Sequence, residues 1–362
     1  MALGVLPDGP DRDSVRPEDG FRERAADSSD LPRGLVEDVL TAGMAAPSLH
    51  NTQPWRFRVL DAGAAIELRI DAARLLPAAD PHGRAAHIGC GAALLNLRIA
   101  AAALGLQGTV RLIPDPAQPL LLARIQLARS HEASAWEREL YAAIPQRRTN
   151  RQPFSNRPVP PGIRAELAEA AATEGGIVHY CPHDEAIRLR DLAADAERDL
   201  LADPAYRAEL ARWVGGDHDQ DGIPASALGP RSPEGREPVR AFSRIREGEA
   251  ARYAWFEEHP QLAVLSIRLG GPREWLAAGQ ALERMWLTAT CRGVSVCPLT
   301  QPLETASGWL VRDPQSGAEQ PQMILRIGYG LPVPTRAIRR PLADVTDWTA
   351  GGDDERRGSP GS

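Results

Sequence analysis

The sequence predicts an α+β fold made of two related halves within one chain. The main observation is a repeated unit: an apolar helix runs from Gly91 to Gly105, and another runs from Gly279 to Gly293. The glycines of each pair are separated by the same interval. Each helix is followed by a loop and a run typical of a β-strand, at Leu120 to Leu127 and at Met323 to Tyr329. The chain has 362 residues, 43% of them hydrophobic, so it can bury a large core.

The two long helices are apolar around most of their circumference, which indicates burial on all sides. We expect them to pack against each other at the centre of the molecule, although chance similarity of two Ala/Leu-rich helices is the alternative. Gly105 and Gly293 fit as C-terminal caps, because glycine adopts a left-handed backbone without strain. The run Ile88 to Leu106 approaches the length of a membrane span, but it contains Asn96 and Arg98. A buried core helix is the better interpretation.

The other elements follow from apolar periodicity and turn residues. We predict helices at Leu35 to Ala46, His131 to Ile144, Pro161 to Thr173 and Ile187 to Leu210, and strands at Arg56 to Val59 and Ile66 to Ile70. A long segment rich in Gly, Pro, Asp and Ser, at 214–240, is predicted to be an active-site lid. We divide the chain into a disordered tail (1–30), a first half (31–130), a second half (131–350) and a second disordered tail (351–362).

Composition narrows the partners and the compartment. A net charge of −6 and a pI near 5.8 favour neither nucleic acid nor an anionic membrane. The four cysteines show no close pairing and no secretory segment precedes them, so we expect free thiols in a cytoplasmic protein. The segment His179 to His183 holds three potential metal ligands, but its spacing is not a known zinc pattern. The end of a strand is the favoured interpretation, and we predict no metal site.

Two short segments are candidates for a binding site. The first, Ala46 to Trp55, follows the first helix directly and reads Ala-Pro-Ser-Leu-His-Asn-Thr-Gln-Pro-Trp. The second, Arg147 to Phe154, reads Arg-Arg-Thr-Asn-Arg-Gln-Pro-Phe. Arginine carries a fork of donors that suits phosphate oxygens, and Thr149 can donate one more hydrogen bond. The second segment therefore indicates a ligand that carries phosphate, or else a solvated basic turn.

Taken together, these motifs resemble the nitroreductase superfamily. The resemblance includes the long glycine-bounded helix and the run Gly293 to Leu299, and from about Leu35 to Val345 the chain is similar to the fused, Acg-like branch. It implies a nitroreductase-like fold whose halves form a pseudo-dimer within one chain. It also implies FMN as the cofactor, with NAD(P)H as electron donor. The Pro-Ser turn lies in the first half and the arginine segment opens the second, which makes one complete site and one FMN per chain.

The resemblance assigns roles to individual residues. It implies that Arg147, Arg148 and Thr149 bind the phosphate and ribityl chain, and that Arg336, Arg339 or Arg340 completes the phosphate clamp. It implies that Arg151 lies beside the N1/C2 edge of the flavin, where positive charge stabilises the reduced ring. Pro47, Ser48, Leu49 and Asn51 would close over the cofactor from the first half. Pro298, Leu299 and Thr300 would line the other face of the ring, with the Thr300 N–H directed toward N5.

Two departures from the family pattern affect turnover rather than cofactor binding. Leu49 replaces a hydroxyl residue, and Gln301 stands where an acidic–Gly pair is common, so that its side chain could crowd the substrate face. His50 lies inside the flavin turn, where it would polarise a substrate or else face solvent.

The predicted function is transfer of a hydride from NAD(P)H through the flavin to a nitroaromatic, a quinone or a related small molecule. No side chain is assigned as the catalytic group, because the flavin carries the chemistry. One alternative is a protein that sequesters FMN or senses redox state with little turnover, its lid and the acidic run Asp217 to Asp221 excluding the nucleotide. Another is a flavin-dependent dehydrogenase in biosynthesis. The pseudo-dimeric chain is expected as a monomer or as a further homodimer.

Overall fold

The computed structural model describes residues 31–215, 219–235, 237–240, 242, 252–305, 311, 319–333 and 337–349. The two predicted tails lie outside the described residues, as do Arg336, Asp217 and His218. The helices are α1 (Arg33–Met44), α2 (Arg84–Ala103), α3 (Ala135–Ala143), α4 (Pro161–Ala172), α5 (His183–Ala202), α6 (Pro204–Trp213), α7 (Pro272–Cys291) and α8 (Leu342–Val345). The strands are β1 (Trp55–Leu60), β2 (Ala65–Ile70), β3 (Leu106–Leu112), β4 (Leu121–Arg129), β5 (Ile177–Tyr180), β6 (Gln261–Arg268), β7 (Ser295–Leu299), β8 (Glu319–Gly328) and β9 (Thr346–Trp348).

The two long helices, α2 and α7, are each 20 residues long and pack against each other, as the repeat predicts. Gly91 and Gly279 do not begin these helices; they lie in their middles, at the point of closest approach. A Cβ added to Gly91 would lie 2.2 Å from the Leu276 carbonyl oxygen, and one on Gly279 would lie 2.0 Å from the Ile88 carbonyl oxygen. The contact is therefore reciprocal, as across a twofold axis, and only glycine fits at either position.

Both helices end as predicted, at a glycine with a left-handed backbone. Gly105 has φ +82° and Gly293 has φ +66°, and each glycine directly follows the C-cap residue of its helix. By length and composition alone, α2 could cross a membrane, but 78% of its apolar stretch is buried inside the protein. The prediction of a core helix is confirmed.

The two sheets repeat the same strand order, which confirms the predicted α+β fold with two related halves. One sheet runs β3-β4-β2-β1-β9 and the other runs β7-β8-β6-β5. Each half thus contributes a helix, two antiparallel strands, the long helix and two further strands. α1 packs on α2 in one half, and α4 packs on α7 in the other. The second half differs by a long insertion between β5 and β6, which contains α5, α6 and the predicted lid.

The structure corrects two expectations. The helix predicted at Ile187 to Leu210 is two helices, because Asp203 caps α6 with its side chain and Pro204 cannot continue α5. The strand β9 falls within the range 131–350 that the sequence analysis assigns to the second half, but it pairs in parallel with β1 of the first half. After the second half, the chain therefore returns to the first sheet. Residues 337–341 lie next to the turn that follows α1.

Candidate functional site

A cavity lies between the two halves, where the turn after α1, the segment after α3 and part of the lid converge. Of the residues proposed from sequence, those lining it are Pro47, Ser48, Leu49, Asn51, Arg147, Arg148, Thr149, Arg151, Pro298, Thr300 and Arg339. Residues more than 200 positions apart in the chain thus meet on one surface. The segments that the motifs single out are brought together by the fold.

Three of the proposed residues are not among those lining the cavity. Leu299 is buried in an apolar cluster with Leu262 and Ile324, because alternate residues of β7 face opposite sides of the sheet. Arg340 turns away from the cavity and donates to Asp71 at 3.3 Å. Arg336 lies outside the described part of the chain. The Leu299 side chain therefore does not line the cavity, and a role for Leu299 beside the flavin ring stays a prediction.

The turn after α1 has an unusual backbone. His50, Asn51 and Gln53 all have positive φ, at +51°, +57° and +51°. Such conformations cost free energy in residues other than glycine and persist where the surroundings hold them. Here the Asn51 amide donates to the carbonyls of Gly222 and Ile338 at 2.9 and 3.1 Å, and the Gln53 backbone N–H donates to Ser48 Oγ at 2.9 Å. The first half, the lid and the C-terminal segment are tied together through this turn.

Two arginines, Arg147 buried and Arg339 partly buried, form one end of the cavity. Arg339 donates to the carbonyls of Met44, Ala45 and Ala46 at 2.6–2.9 Å, which are the free carbonyls at the end of α1. Arg147 donates to the same Ala45 carbonyl at 3.0 Å, and its guanidinium lies 4.6 Å from the centre of the Trp286 ring. These contacts orient both side chains before any ligand is present.

This arginine end has excess positive charge. Arg148 also lines it, and the buried carboxylate nearby is Glu283, whose Oε1 lies 3.2 Å from Arg147 Nε but is not aligned for a hydrogen bond. Burial, and then the charge of Arg147, lower the pKa of Arg339 to about 9. Burial raises the pKa of Glu283, which further weakens its compensation of the arginines. The arrangement favours a bound anion.

A second group of charged and polar residues in the cavity lining is centred on Arg240, which belongs to the predicted lid. Its guanidinium donates to both carboxylate oxygens of Glu304 at 2.6 and 3.1 Å and to Tyr206 Oη at 2.6 Å. It also donates to Thr300 Oγ1 at 3.2 Å and to Glu197 at 3.3 Å. Burial lowers the pKa of Arg240, but the charge of Glu304 raises it by more, so that this pKa lies above its ordinary value. Burial raises the pKa of Glu304, but Arg240 holds it below its ordinary value. We expect both groups to be charged and the lid to be held closed.

His50 and Phe242 line the cavity beside Arg240 and Arg151. The two rings meet edge to face with centroids 5.8 Å apart, and the Arg151 guanidinium lies 5.3 Å from the Phe242 centroid. His50 is buried with 3% exposure, so the alternative that it faces solvent is wrong. Neither ring nitrogen has a hydrogen-bond partner among the described residues. Burial, and then the charge of Arg240, lower the pKa of His50 to about 3.

This shift predicts a pH dependence of stability. Because the folded pKa lies below the usual value of 6.5, the stabilisation is present above pH 6.5 and is lost as pH falls from 6.5 toward 3. At pH 5 the loss relative to pH 7 should be about 2 kcal/mol. Urea unfolding at several pH values should show this loss in the unsubstituted protein and a flatter profile for His50→Gln. The exposed His82→Gln is the control, and identical profiles for all three proteins would contradict the prediction.

Several cavity residues were missed by sequence reasoning. Arg84 starts α2, is largely buried and donates to the Gln322 carbonyl at 2.7 Å. Trp286 also lines the cavity, although a tryptophan in an apolar helix is equally typical of a protein core. Glu283 was not singled out, although a charged residue on the buried face of an apolar helix is itself a signal. Gln301 is buried and does not line this cavity; it lies in a smaller pocket beside Glu197. It therefore does not crowd the cavity.

At the mirror-image position on the other side of the helix pair, described side chains pair with one another. At the end of α4, where α1 has its cavity turn, Glu174 accepts from Arg98 at 2.7 Å and from Arg284 at 2.8 Å. Arg284 occupies the position in α7 that Asn96 occupies in α2. The anion charge that a ligand would supply on the first side is supplied here by a carboxylate.

A separate group of possible metal ligands lies where β5 ends. Atoms of His179, Cys181 and Glu185 are within 4.8 Å of one another. The His179 imidazole is 2.9 Å from the Glu185 carboxylate, as in an ordinary His–Glu pair. The strand ends at Tyr180, as predicted.

Comparison with known proteins places these features in a family. The model of the Nitroreductase family matches residues 23–82 and 144–329. Rv3131 of Mycobacterium tuberculosis H37Rv, provisionally named an NAD(P)H nitroreductase, is 35% identical over 319 residues, which cover 86% of this chain and 91% of the relative. The protein acg of the same strain, provisionally given the same function, is 30% identical over 315 residues, covering 86% and 95%.

Solved structures that resemble the chain are more distant. NfnB from Mycobacterium smegmatis, in complex with NADPH, is 18% identical with a TM-score of 0.39, covering 59% of this chain and all of the other. A nitroreductase with bound FMN from Desulfitobacterium hafniense DCB-2 is 16% identical with a TM-score of 0.38, covering 59% and 98%. Because the family model and relatives of near-equal length both match it, the chain belongs to the nitroreductase family.

Proposed function

We propose that this protein is a soluble, cytoplasmic, FMN-dependent oxidoreductase that takes a hydride from NAD(P)H and delivers it to a small-molecule acceptor. The observation that carries the proposal is the arginine end of the cavity. Arg147, Arg148 and Arg339 converge there with Glu283 as the nearby buried carboxylate. A phosphate monoester supplies the missing negative charge and matches arginine's fork of donors.

The residues present fit FMN along the length of the cavity. We assign Arg147, Arg148, Thr149 and Arg339 to the phosphate and ribityl end. We assign Pro47, Ser48, Pro298 and Thr300 to the ring. FMN supplies, when bound, a ring that accepts a hydride from one substrate and gives it to the next. Arg151, partly buried and lining the cavity, provides positive charge to offset the charge that arrives with the hydride.

The chain's own groups act by binding, orientation and exclusion of water. Gly222 and Ile223 of the lid, and Phe242 just beyond it, line the cavity and reduce its contact with solvent. At the mirror position, Glu174 already pairs with Arg98 and Arg284, which supports one FMN per chain. The names of the relatives, and the FMN and NADPH bound to distant family members, agree with the choice of cofactor and donor.

The first experiment is to purify the protein, record its visible spectrum and add NADPH or NADH without oxygen. We expect a flavin spectrum at one FMN per chain that bleaches with at least one nucleotide, and then reoxidation by nitroaromatic or quinone acceptors. A colourless protein that takes up no added FMN would refute the proposal.

The closed lid favours a second candidate, a protein that holds FMN with little turnover. Arg240 is fixed by Glu304, Glu197 and Tyr206, and entry of a nicotinamide ring requires those contacts to break. The same experiment separates the two candidates. A bound flavin that dithionite reduces but neither nucleotide does would favour the holding function.

A further inference from the structure

We propose that His50, as a neutral imidazole, donates a hydrogen bond to an oxygen of the electron acceptor and so selects acceptors with a carbonyl or nitro oxygen. The inference rests on the proposed function and specifies its substrate face. It starts from a polar side chain that lines the cavity, is buried with 3% exposure and has no partner at either nitrogen. Leaving such a group unsatisfied costs free energy, which a ligand in the cavity can recover.

The position of His50 is fixed by the surrounding structure. Its own φ is +51°, and Asn51 holds the turn through hydrogen bonds to the lid and to the C-terminal segment. The ring edge of Phe242 limits its rotation. A side chain held in a strained turn with both nitrogens free is arranged for a ligand rather than for the fold alone.

The surrounding charge determines what His50 can do. Arg240 and Arg151 both disfavour a protonated imidazole, whereas Glu304 favours it but is already paired with Arg240. His50 therefore keeps its single proton near neutral pH and offers it in a hydrogen bond. The nearby guanidinium groups also favour an oxygen that carries partial negative charge over a cationic ligand.

The reaction balances without a proton from His50. A quinone acceptor gains two electrons as a hydride, and one proton from solvent completes the hydroquinone, while the cofactor returns to its oxidised form. The hydrogen bond from His50 strengthens as negative charge develops on the acceptor oxygen. His50 is thus a specificity residue that contacts substrate, and Asn51 is a positioning residue that holds its turn.

The test uses FMN-loaded protein reduced photochemically, so that no nicotinamide nucleotide is needed. Stopped-flow oxidation by 1,4-benzoquinone, which presents carbonyl oxygens, is compared with oxidation by ferricyanide, which accepts single electrons without such a contact. We expect His50→Leu to slow the quinone reaction about 10- to 100-fold and the ferricyanide reaction less than about threefold. His50→Gln, which keeps an N–H donor, should restore most of the quinone rate.

Affinity for FMN separates the remaining outcomes. We expect both variants to bind FMN within about threefold of the unsubstituted protein, a difference of under 1 kcal/mol. An equal loss of rate with both oxidants, or a large loss of FMN affinity, would overturn the inference and leave the proposed function standing. Failure of the unsubstituted protein to bind FMN would overturn both.

Discussion

Replacement of Gly279 by alanine should destabilise the protein by about 3 kcal/mol or more. The new Cβ would lie 2.0 Å from the Ile88 carbonyl oxygen, which is main chain and cannot rotate away. The two central helices would have to separate, and both halves pack on them. The measurement is urea unfolding without added ligand, and Gly91→Ala should behave similarly because its contact with Leu276 is the reciprocal one.

The control is Gly162→Ala, another glycine in a helix. No heavy atom lies within 4 Å of a Cβ at Gly162, near the start of α4. Alanine there should be neutral or stabilising, by up to about 1 kcal/mol, because it favours helix and restricts the unfolded chain. If Gly279→Ala were as stable as Gly162→Ala, the close helix crossing would be refuted.

The second large effect is expected on cofactor binding. Removing the Arg147 guanidinium should weaken binding of FMN about 10- to 100-fold, since a hydrogen bond to a charged group contributes about 1.5–3 kcal/mol. Binding of riboflavin, which lacks the phosphate, should weaken by less than about threefold. Fluorescence titration of the apoprotein with both ligands measures this difference.

The choice of variant must take Glu283 into account, because substitution of Arg147 alone would leave that buried carboxylate without the cation beside it. The informative variant is therefore Arg147→Gln combined with Glu283→Gln, with Glu283→Gln alone as the matched control. Glu283→Gln alone removes the carboxylate beside Arg147, so this variant should bind FMN as tightly as the unsubstituted protein or more tightly. Equal losses for FMN and riboflavin in the double variant would show that Arg147 does not contact the phosphate.

Much of the site was predictable because its residues lie in short, continuous segments. Arg147 to Thr149 and Pro47 to Asn51 carry their chemistry in consecutive residues, and the family resemblance brings the two segments together. Arg84 and Arg240 have no such signal. Each lies in a helix or loop whose local pattern gives a different explanation for a charge, such as a solvated helix face or a polar loop.

The sequence by itself determined the repeat, the two glycine-ended helices and the α+β class. These features depend on local backbone preference and on apolar periodicity, which each segment carries independently of its neighbours. It also determined that Pro204 interrupts a helix, although the prediction of one helix at 187–210 overlooked it.

Only the tertiary structure decided what depends on register and on distant contacts. The alternation of β7 places Pro298 at the cavity and Leu299 in an apolar cluster. The return of the chain to pair β9 with β1 accompanies the contact of Arg339 with the end of α1. The reason is physical: facing direction changes with each residue along a strand, and long-range contacts reflect the summed packing of the whole chain.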